Sequence, residues 1–277
     1  MMINCDPIIP LFHSATLRRT ILDMAYAGST VHIGCAFSIV EVLAVLYRKY
    51  LKYPNNDPNS EARDFLVLSK GHGVMAQYAC MKQMGWLGLD DIDSYFKDGS
   101  VLKGLSDSRV DGLEVTSGSL GHGFSVGVGI AMGAKLCGSE QKTFAIVGDG
   151  ELNEGAIWEG AMFAAQQELN NFMVIVDENG LQAMGMTSDI LNLGSIQKKF
   201  ESFGFDVVTI DGHNEILIDK AIGEFQKSTS MAPKAIIAKT VKGKGVSFME
   251  NDNRWHYSRL TKAEYDAACA ELEGQFL

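Results

Sequence analysis

Two short apolar runs, each ending in a polar, glycine-containing cluster, constrain this chain more than any other feature. Thr143–Val147 runs into Gly148-Asp149-Gly150-Glu151-Leu152-Asn153-Glu154-Gly155, and Phe172–Val176 runs into Asp177-Glu178-Asn179-Gly180-Leu181. Both runs are short, rich in β-branched residues and free of polar alternation, the pattern of strands buried on both faces of a parallel sheet. Between them Trp158, Ala161, Met162, Ala164 and Ala165 recur at roughly helical spacing, which gives a strand–helix–strand unit. Such a unit brings Asp149 and Asn179 to the same carboxyl edge of a sheet, where open α/β folds bind ligands. Gly148 and Gly150 let the backbone approach a ligand closely, and the helix that follows offers free amides to an anion.

The remaining pattern extends this unit into a fold. Residues 12–27 read as a helix with Leu17, Ile21, Leu22 and Ala25 on one face, and a second helix over about 38–50 carries Ile39, Val42, Leu43 and Leu46. Pro54–Ser60 is a polar loop. Phe65–Leu68 reads as a buried strand that ends at Ser69-Lys70-Gly71-His72-Gly73, before a helix over 74–84. Residues 97–117 are irregular and polar, as expected of a loop lining a site. Gly118-Ser119-Leu120-Gly121-His122-Gly123 opens a helix containing Gly127, Gly129, Ala131, Gly133 and Ala134. Each interior glycine weakens a helix by ~1 kcal/mol relative to alanine, so this many implies close backbone packing, for which a subunit interface is one explanation. Further strands over Asp206–Ile210 and Ala235–Ala238 flank a helix near 214–229. The alternation predicts an α/β fold, a doubly wound, mostly parallel sheet with helices on both faces. With no repeat, low-complexity tract or linker in view, residues 1–277 read as a single domain.

Composition excludes several classes. With 24 basic and 34 acidic side chains the net charge is −10, which argues against a nucleic-acid surface. The cysteines, Cys5, Cys35, Cys80, Cys137 and Cys269, are odd in number and dispersed, which reads as reduced thiols rather than a disulfide framework. No apolar stretch approaches the ~20 residues that span a bilayer, and the N-terminus lacks a signal-peptide pattern, so a soluble cytoplasmic protein without membrane partners is expected. No phosphate-binding loop or dinucleotide fingerprint supports a nucleotide cofactor.

An Asp carboxylate, an Asn amide oxygen and a nearby main-chain carbonyl are hard oxygen ligands, suited to Mg²⁺ that is also held by a diphosphate. Gly-Asp-Gly followed thirty positions later by Asn179 resembles the thiamine diphosphate motif, and Gly-Asp-Gly-Glu-Leu-Asn-Glu-Gly-Ala-Ile-Trp-Glu resembles the transketolase family. Three histidine loops extend the resemblance from about residue 14 to 258: His32 in Val-His-Ile-Gly, His72 in Ser-Lys-Gly-His-Gly, and His256 in Arg-Trp-His, fourteen residues after Lys242. Taken singly, each histidine reads as a hydrogen-bonded structural group.

The resemblance implies thiamine diphosphate and Mg²⁺ as cofactors and the transfer of a two-carbon ketol unit from a ketose to an aldose. By it, His32 and His72 flank the reactive thiazolium and the donor's hydroxyls, while Lys242 and His256 lie near the diphosphate and the substrate channel. Gly118 and Leu120 give backbone contacts to the cofactor, and Asp149, Asn179 and the Leu181 carbonyl hold the metal. Glu154 matches a family acid at the interface between cofactor sites. Glu151 falls in the cofactor loop, with the plainer role of an acid at a helix N-terminus. Imidazoles at 32, 72 and 256 suit chemistry that passes through alkoxides and needs a proton shuttle near neutral pH. Cys35 stands where relatives often have a small polar residue, and equally reads as a buried thiol.

Full-length transketolases carry two further domains, and on this reading the chain ends after the first. It therefore resembles the N-terminal subunit of a split transketolase. The implied partner is a second subunit with the pyrimidine-binding and C-terminal domains, in a two-plus-two hetero-oligomer acting on sugars or sugar phosphates. Two alternatives stay open: a subunit of another two-chain thiamine enzyme (2-oxo-acid decarboxylating or deoxyxylulose-phosphate-synthase-like), or a non-catalytic scaffold. Three departures stand out. Leu105 occupies a position where the family usually has histidine, His122 replaces the usual Gln, and Tyr257 replaces the usual Gly after Trp-His. They point to an unusual ketose or acceptor.

Overall fold

A computed structural model describes residues 11–276, so Cys5 lies outside the described residues. The strands are β1 Phe65–Leu68, β2 Thr143–Gly148, β3 Phe172–Glu178, a hairpin of β4 Leu181–Gln182 and β5 Gly185–Met186, then β6 Asp206–Asp211 and β7 Lys234–Lys239. All but the hairpin form a five-stranded parallel sheet in the order β1-β2-β3-β7-β6. The register sets Val147 beside Val176 and Gly148 beside Asp177, so β2 and β3 end together and release Asp149 and Asn179 at one edge. Both faces of the sheet are covered, which is why its strands carry no polar alternation. Phe144, Ile146, Met173, Ile175 and Ile236 point into one core, with helices α1 Ser14–Ala27, α2 Ile33–Phe37, α3 Val40–Val45 and α4 Val74–Met84. Ala145, Val147, Val174, Val176 and Ile237 point into the other.

After α5 Leu89–Asp93, helix α6 His122–Leu136 packs on β1 and β2 in that second core, beside α7 Gly155–Gln166. Some of the α6 glycines have a local explanation. A Cβ at Gly123 would lie 2.7 Å from the Ser69 Cα, and one at Gly127 would rest 3.4 Å from Phe172. Gly129 and Gly133 face open space within this chain. The chain is completed by α8 Thr187–Leu191, α9 Ile196–Ser202, α10 Glu215–Lys227 and α11 Lys262–Glu273.

The helix expected over 38–50 is broken. It divides into α3 and a π-helical turn at Leu46–Tyr50, and α2 stops at Ser38, whose hydroxyl donates to Asp177 (2.7 Å) and the Cys35 carbonyl (3.1 Å). Among the described residues, no helix is long and apolar enough to cross a membrane.

Candidate active site

The carboxyl edge of the sheet opens into a cavity of about 680 Å³. Its walls bring together His32, His72, Gly118, Leu120, Gly148, Asp149, Gly150, Glu151, Glu154, Asn179, Leu181 and His256, drawn from stretches far apart in sequence. Lys242 stands just behind this wall, buried, with its Nζ 2.8 Å from His256 Nδ1 and 3.1 Å from Asn253 Oδ1.

At the β2 end, Asp149 accepts N–H bonds from Gly150 (2.8 Å) and Gly180 (2.6 Å), which ties the two sequence clusters together. Burial and the neighbouring Asp177 charge push its carboxyl up to about 7. Asn179 is fixed at both ends of its amide: Oδ1 accepts from the Leu181 N–H (3.0 Å) and Nδ2 donates to Asp177 (3.1 Å). Glu151 is more than an acid at a helix start. One oxygen accepts from Ser69 Oγ (2.5 Å) and the Gly121 N–H (2.8 Å), the other from the Gly148 N–H (3.1 Å). It thus clamps the ends of β1 and β2 and the start of α6 around one buried carboxylate, whose affinity for a proton burial raises. A Cβ at Gly150 would meet Gln182 at 2.7 Å, so this loop needs glycine to lie against the β4–β5 hairpin.

The three histidines form one cluster. Ring centroids are 5.3 Å apart for His32 and His72, 5.2 Å for His32 and His256, and 5.5 Å for His72 and His256. His32 sits at φ 72°, a left-handed conformation uncommon outside glycine, and donates its N–H to the His256 carbonyl (3.0 Å). Strained backbone of this kind persists only where surrounding contacts impose it. Burial and then the Lys242 charge lower His32 to about 4 and His256 to about 3, and burial with Lys70 holds His72 well below the usual range. All three rings are therefore neutral near pH 7. Lys242 is a donor, so His256 Nδ1 accepts and its proton resides on Nε2.

Sequence reasoning missed the pair beneath the site. Lys70 and Asp177 form a fully buried ion pair, and Asp177 also accepts from Ser38, Thr240 and Asn179. The signal was present as an acid closing an otherwise apolar strand. A second missed network fixes the Lys242 loop: Arg18 grips Glu41 with two bonds (2.6 and 2.9 Å), Glu41 accepts from His213 Nδ1 (2.9 Å), and His213 Nε2 accepts the Val241 N–H (2.8 Å).

The departures divide. Leu105 and Tyr257 line the cavity, the Tyr257 ring 5.8 Å from His32 and 4.7 Å from His256. A Cβ at Gly118 would strike Leu105 Cδ1 at 2.8 Å, so the leucine lies over that glycine. His122 is exposed at the start of α6, beside the Leu120 carbonyl (3.3 Å), and does not join the histidine cluster within this chain.

A model of the thiamine diphosphate-binding domain of transketolase matches residues 13–273. The chain belongs to the transketolase family. It is 37% identical over 257 residues to one of the subunits of an apulose-4-phosphate transketolase from Phocaeicola vulgatus, covering 92% of this chain and 90% of the relative. It is 39% identical to a 6-deoxy-6-sulfo-D-fructose transketolase subunit of a Clostridium species, covering 96% and 97%. The transketolase structure from Campylobacter jejuni superposes with a TM-score of 0.86 at 30% identity, over 95% of this chain and 42% of that one. The chain thus spans about two-fifths of the solved transketolase it matches, and nearly the whole of relatives named as subunits. It is a transketolase-type transferase subunit, corresponding to the N-terminal half of a split enzyme. The α/β sheet expected from the sequence is the fold of these enzymes.

Two features fit a polar cofactor in the cavity. Its lining includes the Asp149 carboxylate, the Asn179 amide oxygen and the Leu181 main-chain carbonyl, all hard oxygens. Also lining it, the buried Asn153 Oδ1 and Gln182 Nε2 have no hydrogen-bond partner among the described residues. Buried polar atoms are nearly always satisfied, so these two suit a ligand or ordered water.

Proposed function

We propose that this chain is the diphosphate-side subunit of a two-chain transketolase that moves a two-carbon ketol unit between sugars, with thiamine diphosphate and Mg²⁺ as cofactors. The observation that carries the reading is one cavity lined both by Asp149 and Asn179 and by three neutral imidazoles 5.2–5.5 Å apart. Asp149, Asn179 and the Leu181 carbonyl would hold the Mg²⁺, and Gly118, Leu120, Gly148 and Gly150 would let the diphosphate and rings approach the backbone. Bound thiamine supplies an electron sink that proteins lack.

The chain's own residues supply the rest. His32, His72 and His256 would face the sugar as neutral rings; His32 and His72 can donate from one nitrogen and accept at the other, while His256, whose Nδ1 accepts from Lys242, donates from Nε2. Each can therefore hold a sugar hydroxyl without adding charge to the site. Lys242, buried against His256, fixes that ring's tautomer and places positive charge where oxyanions develop. Glu151 keeps the cofactor loops in register, and Glu154, which lines the cavity beside Gly121, would meet the second chain. That partner would carry the pyrimidine-binding and C-terminal domains, in a two-plus-two assembly in the cytoplasm.

Leu105 and Tyr257 bear on the substrate. At Leu105 an apolar side chain stands where an imidazole would hydrogen-bond a sugar oxygen, and losing a bond to a charged group costs ~1.5–3 kcal/mol. This favours a deoxy or otherwise modified sugar over the ordinary pentose phosphates. The two relatives named for apulose 4-phosphate and 6-deoxy-6-sulfo-D-fructose are in keeping with that class. The test is to reconstitute the chain with its partner and measure kcat/KM for xylulose 5-phosphate with ribose 5-phosphate against modified sugars. Preference for a modified sugar, shifted toward the ordinary pair by Leu105→His, supports the reading. Ordinary substrates turned over at pathway rates, with Leu105→His neutral, would overturn the substrate assignment. Ketol transfer by this chain alone would overturn the two-chain assignment.

A further inference from the structure

One side chain links two parts of the cavity that come from different stretches of the sequence. Asn253 opens the short turn Asn253–His256, which also carries His256. Its Oδ1 accepts from Lys242 Nζ (3.1 Å), and its Nδ2 donates to the carbonyl of Ala183 (3.1 Å), between β4 and β5. The partners fix which end of the amide is which: an ammonium only donates and a carbonyl only accepts, so a flipped amide would satisfy neither. The turn is itself anchored. Asp252 accepts from the Arg254 N–H (2.9 Å), and the buried Trp255 donates from Nε1 to the Phe248 carbonyl (3.1 Å).

Both partners of Asn253 lack other support. The β4–β5 hairpin has two residue pairs, Leu181 with Met186 and Gln182 with Gly185, and stands outside the five-stranded sheet. A two-stranded ribbon is marginal by itself in water. Among the described residues, the Asn253 bond to Ala183 is the one hydrogen bond that joins residues 181–186 to a segment distant in sequence. Leu181, Gln182, Ala183 and Met184 all line the cavity. At the other end, the Lys242 ammonium is buried, and among the described residues it meets no carboxylate in an ion pair. It rests on two neutral acceptors, His256 Nδ1 (2.8 Å) and Asn253 Oδ1.

We infer that Asn253 is a positioning residue that braces the β4–β5 hairpin against the Lys242–His256 pair. One amide thereby couples the Leu181 part of the cavity to the His256 part. The inference rests on the proposed function only in what those parts hold, a metal at the Leu181 carbonyl and a sugar hydroxyl at His256; the brace itself does not. Its two ends separate by substitution. Asn253→Leu removes both bonds at similar volume. Asn253→Asp keeps an acceptor for Lys242 but has no donor for the Ala183 carbonyl. Asn253 is half-buried, so both variants are expected to fold.

Amide hydrogen exchange on the purified full chain, read by mass spectrometry over residues 181–187 with α4 as internal reference, tests the brace. Both variants should speed exchange in 181–187 by about fivefold, the factor equivalent to one ordinary hydrogen bond, with α4 unchanged. In the enzyme assembled with its partner, both should weaken Mg²⁺-dependent thiamine diphosphate binding by a similar factor. At saturating cofactor, kcat should fall further in Asn253→Asp, whose carboxylate offsets the Lys242 charge, than in Asn253→Leu. A merely structural asparagine would not divide the two variants in this way. Unchanged exchange in both variants, acceleration in Asn253→Leu alone, or a loosened hairpin with unchanged cofactor affinity overturns the inference. If Asn253→Leu does not fold, exchange and cofactor affinity in Asn253→Asp decide it by the same criteria. Wild-type enzyme that binds thiamine diphosphate while the hairpin ignores both substitutions refutes the brace alone. Wild-type enzyme that binds none, with the hairpin responding as stated, refutes the proposed function alone.

Discussion

Replacing Asp177 with asparagine should be among the most damaging single-atom changes in the molecule. Asp177 and Lys70 are 1% and 2% exposed, and the carboxylate gathers Lys70, Ser38, Thr240 and Asn179. Burial alone would lower the Lys70 pKa, yet the Asp177 charge and hydrogen bond, together with Cys35 and Asp149 nearby, outweigh it and hold the ammonium above its ordinary value. Asp177→Asn keeps the size and one acceptor oxygen but removes the charge facing that ammonium, whose other hydrogen-bond partner is the Cys35 carbonyl at 3.1 Å. Breaking a buried pair by neutralising one member costs about 3–5 kcal/mol, because the surviving charge stays desolvated. At roughly 2–4 °C per kcal/mol for a chain near this size, Tm should fall by about 6–20 °C. Lys70→Met should cost less, since Asp177 keeps three donors. The double variant Lys70→Met/Asp177→Asn should recover most of the loss, because no buried charge remains. Urea unfolding followed by circular dichroism measures all four proteins in one cycle. A loss below about 1 kcal/mol in Asp177→Asn, or a double variant as unstable as the sum of the singles, would refute the reasoning.

Three further outcomes follow from the same geometry. Glu151→Gln replaces an acceptor of three donors with a group that must turn an N–H₂ toward one of them, so stability should drop by about 1–3 kcal/mol and cofactor affinity with it; unchanged affinity in calorimetry would sink the clamp. His256 is lowered by burial and by Lys242 to about 3, against an ordinary value near 6.5. The native state therefore takes up fewer protons, and the stability conferred by the neutral ring is full above about pH 6.5 and lost as pH falls toward 3. His256→Gln, which preserves an acceptor for Lys242, should flatten that part of the pH–stability curve; an identical slope would show that the ring does not titrate as argued. Finally, His213→Phe should cut the link from Glu41 to the Val241 N–H and raise the KM for cofactor more than it lowers kcat, and an unaffected KM would exclude a role in holding the Lys242 loop.

The sheet and the cofactor edge were legible because they rest on strong local signals. β1 and α4 fall where the apolar runs place them, and Thr143–Val147 and Phe172–Val176 are each a residue or two short of the full strand. Asp149 and Asn179 meet because parallel strands in register end together, which alternation of strand and helix already implies. The elements that escaped lack such signals. α9 buries only Ile196 and Phe200, and α11 buries Ala268, Cys269 and Leu272 on an otherwise charged helix, so neither shows a broad apolar stripe. The break after Ser38 depends on a hydroxyl captured by Asp177, 139 residues away, which no local pattern reports. The cavity's chemistry was half visible: the histidines stand out in glycine-rich loops, whereas Lys70 and Asp177 acquire meaning only from long-range packing.

The central claim is that Asp149 and Asn179 hold a cation that in turn holds thiamine diphosphate. Calorimetric titration of thiamine diphosphate into the chain assembled with its partner, with and without Mg²⁺, tests this for wild type, Asp149→Ala and Asn179→Ala. Mg²⁺-dependent binding in wild type, lost in both variants while their circular dichroism and thermal unfolding stay those of a folded protein, is the predicted result. Unchanged cofactor affinity in either variant, or binding in wild type that ignores Mg²⁺, would contradict it.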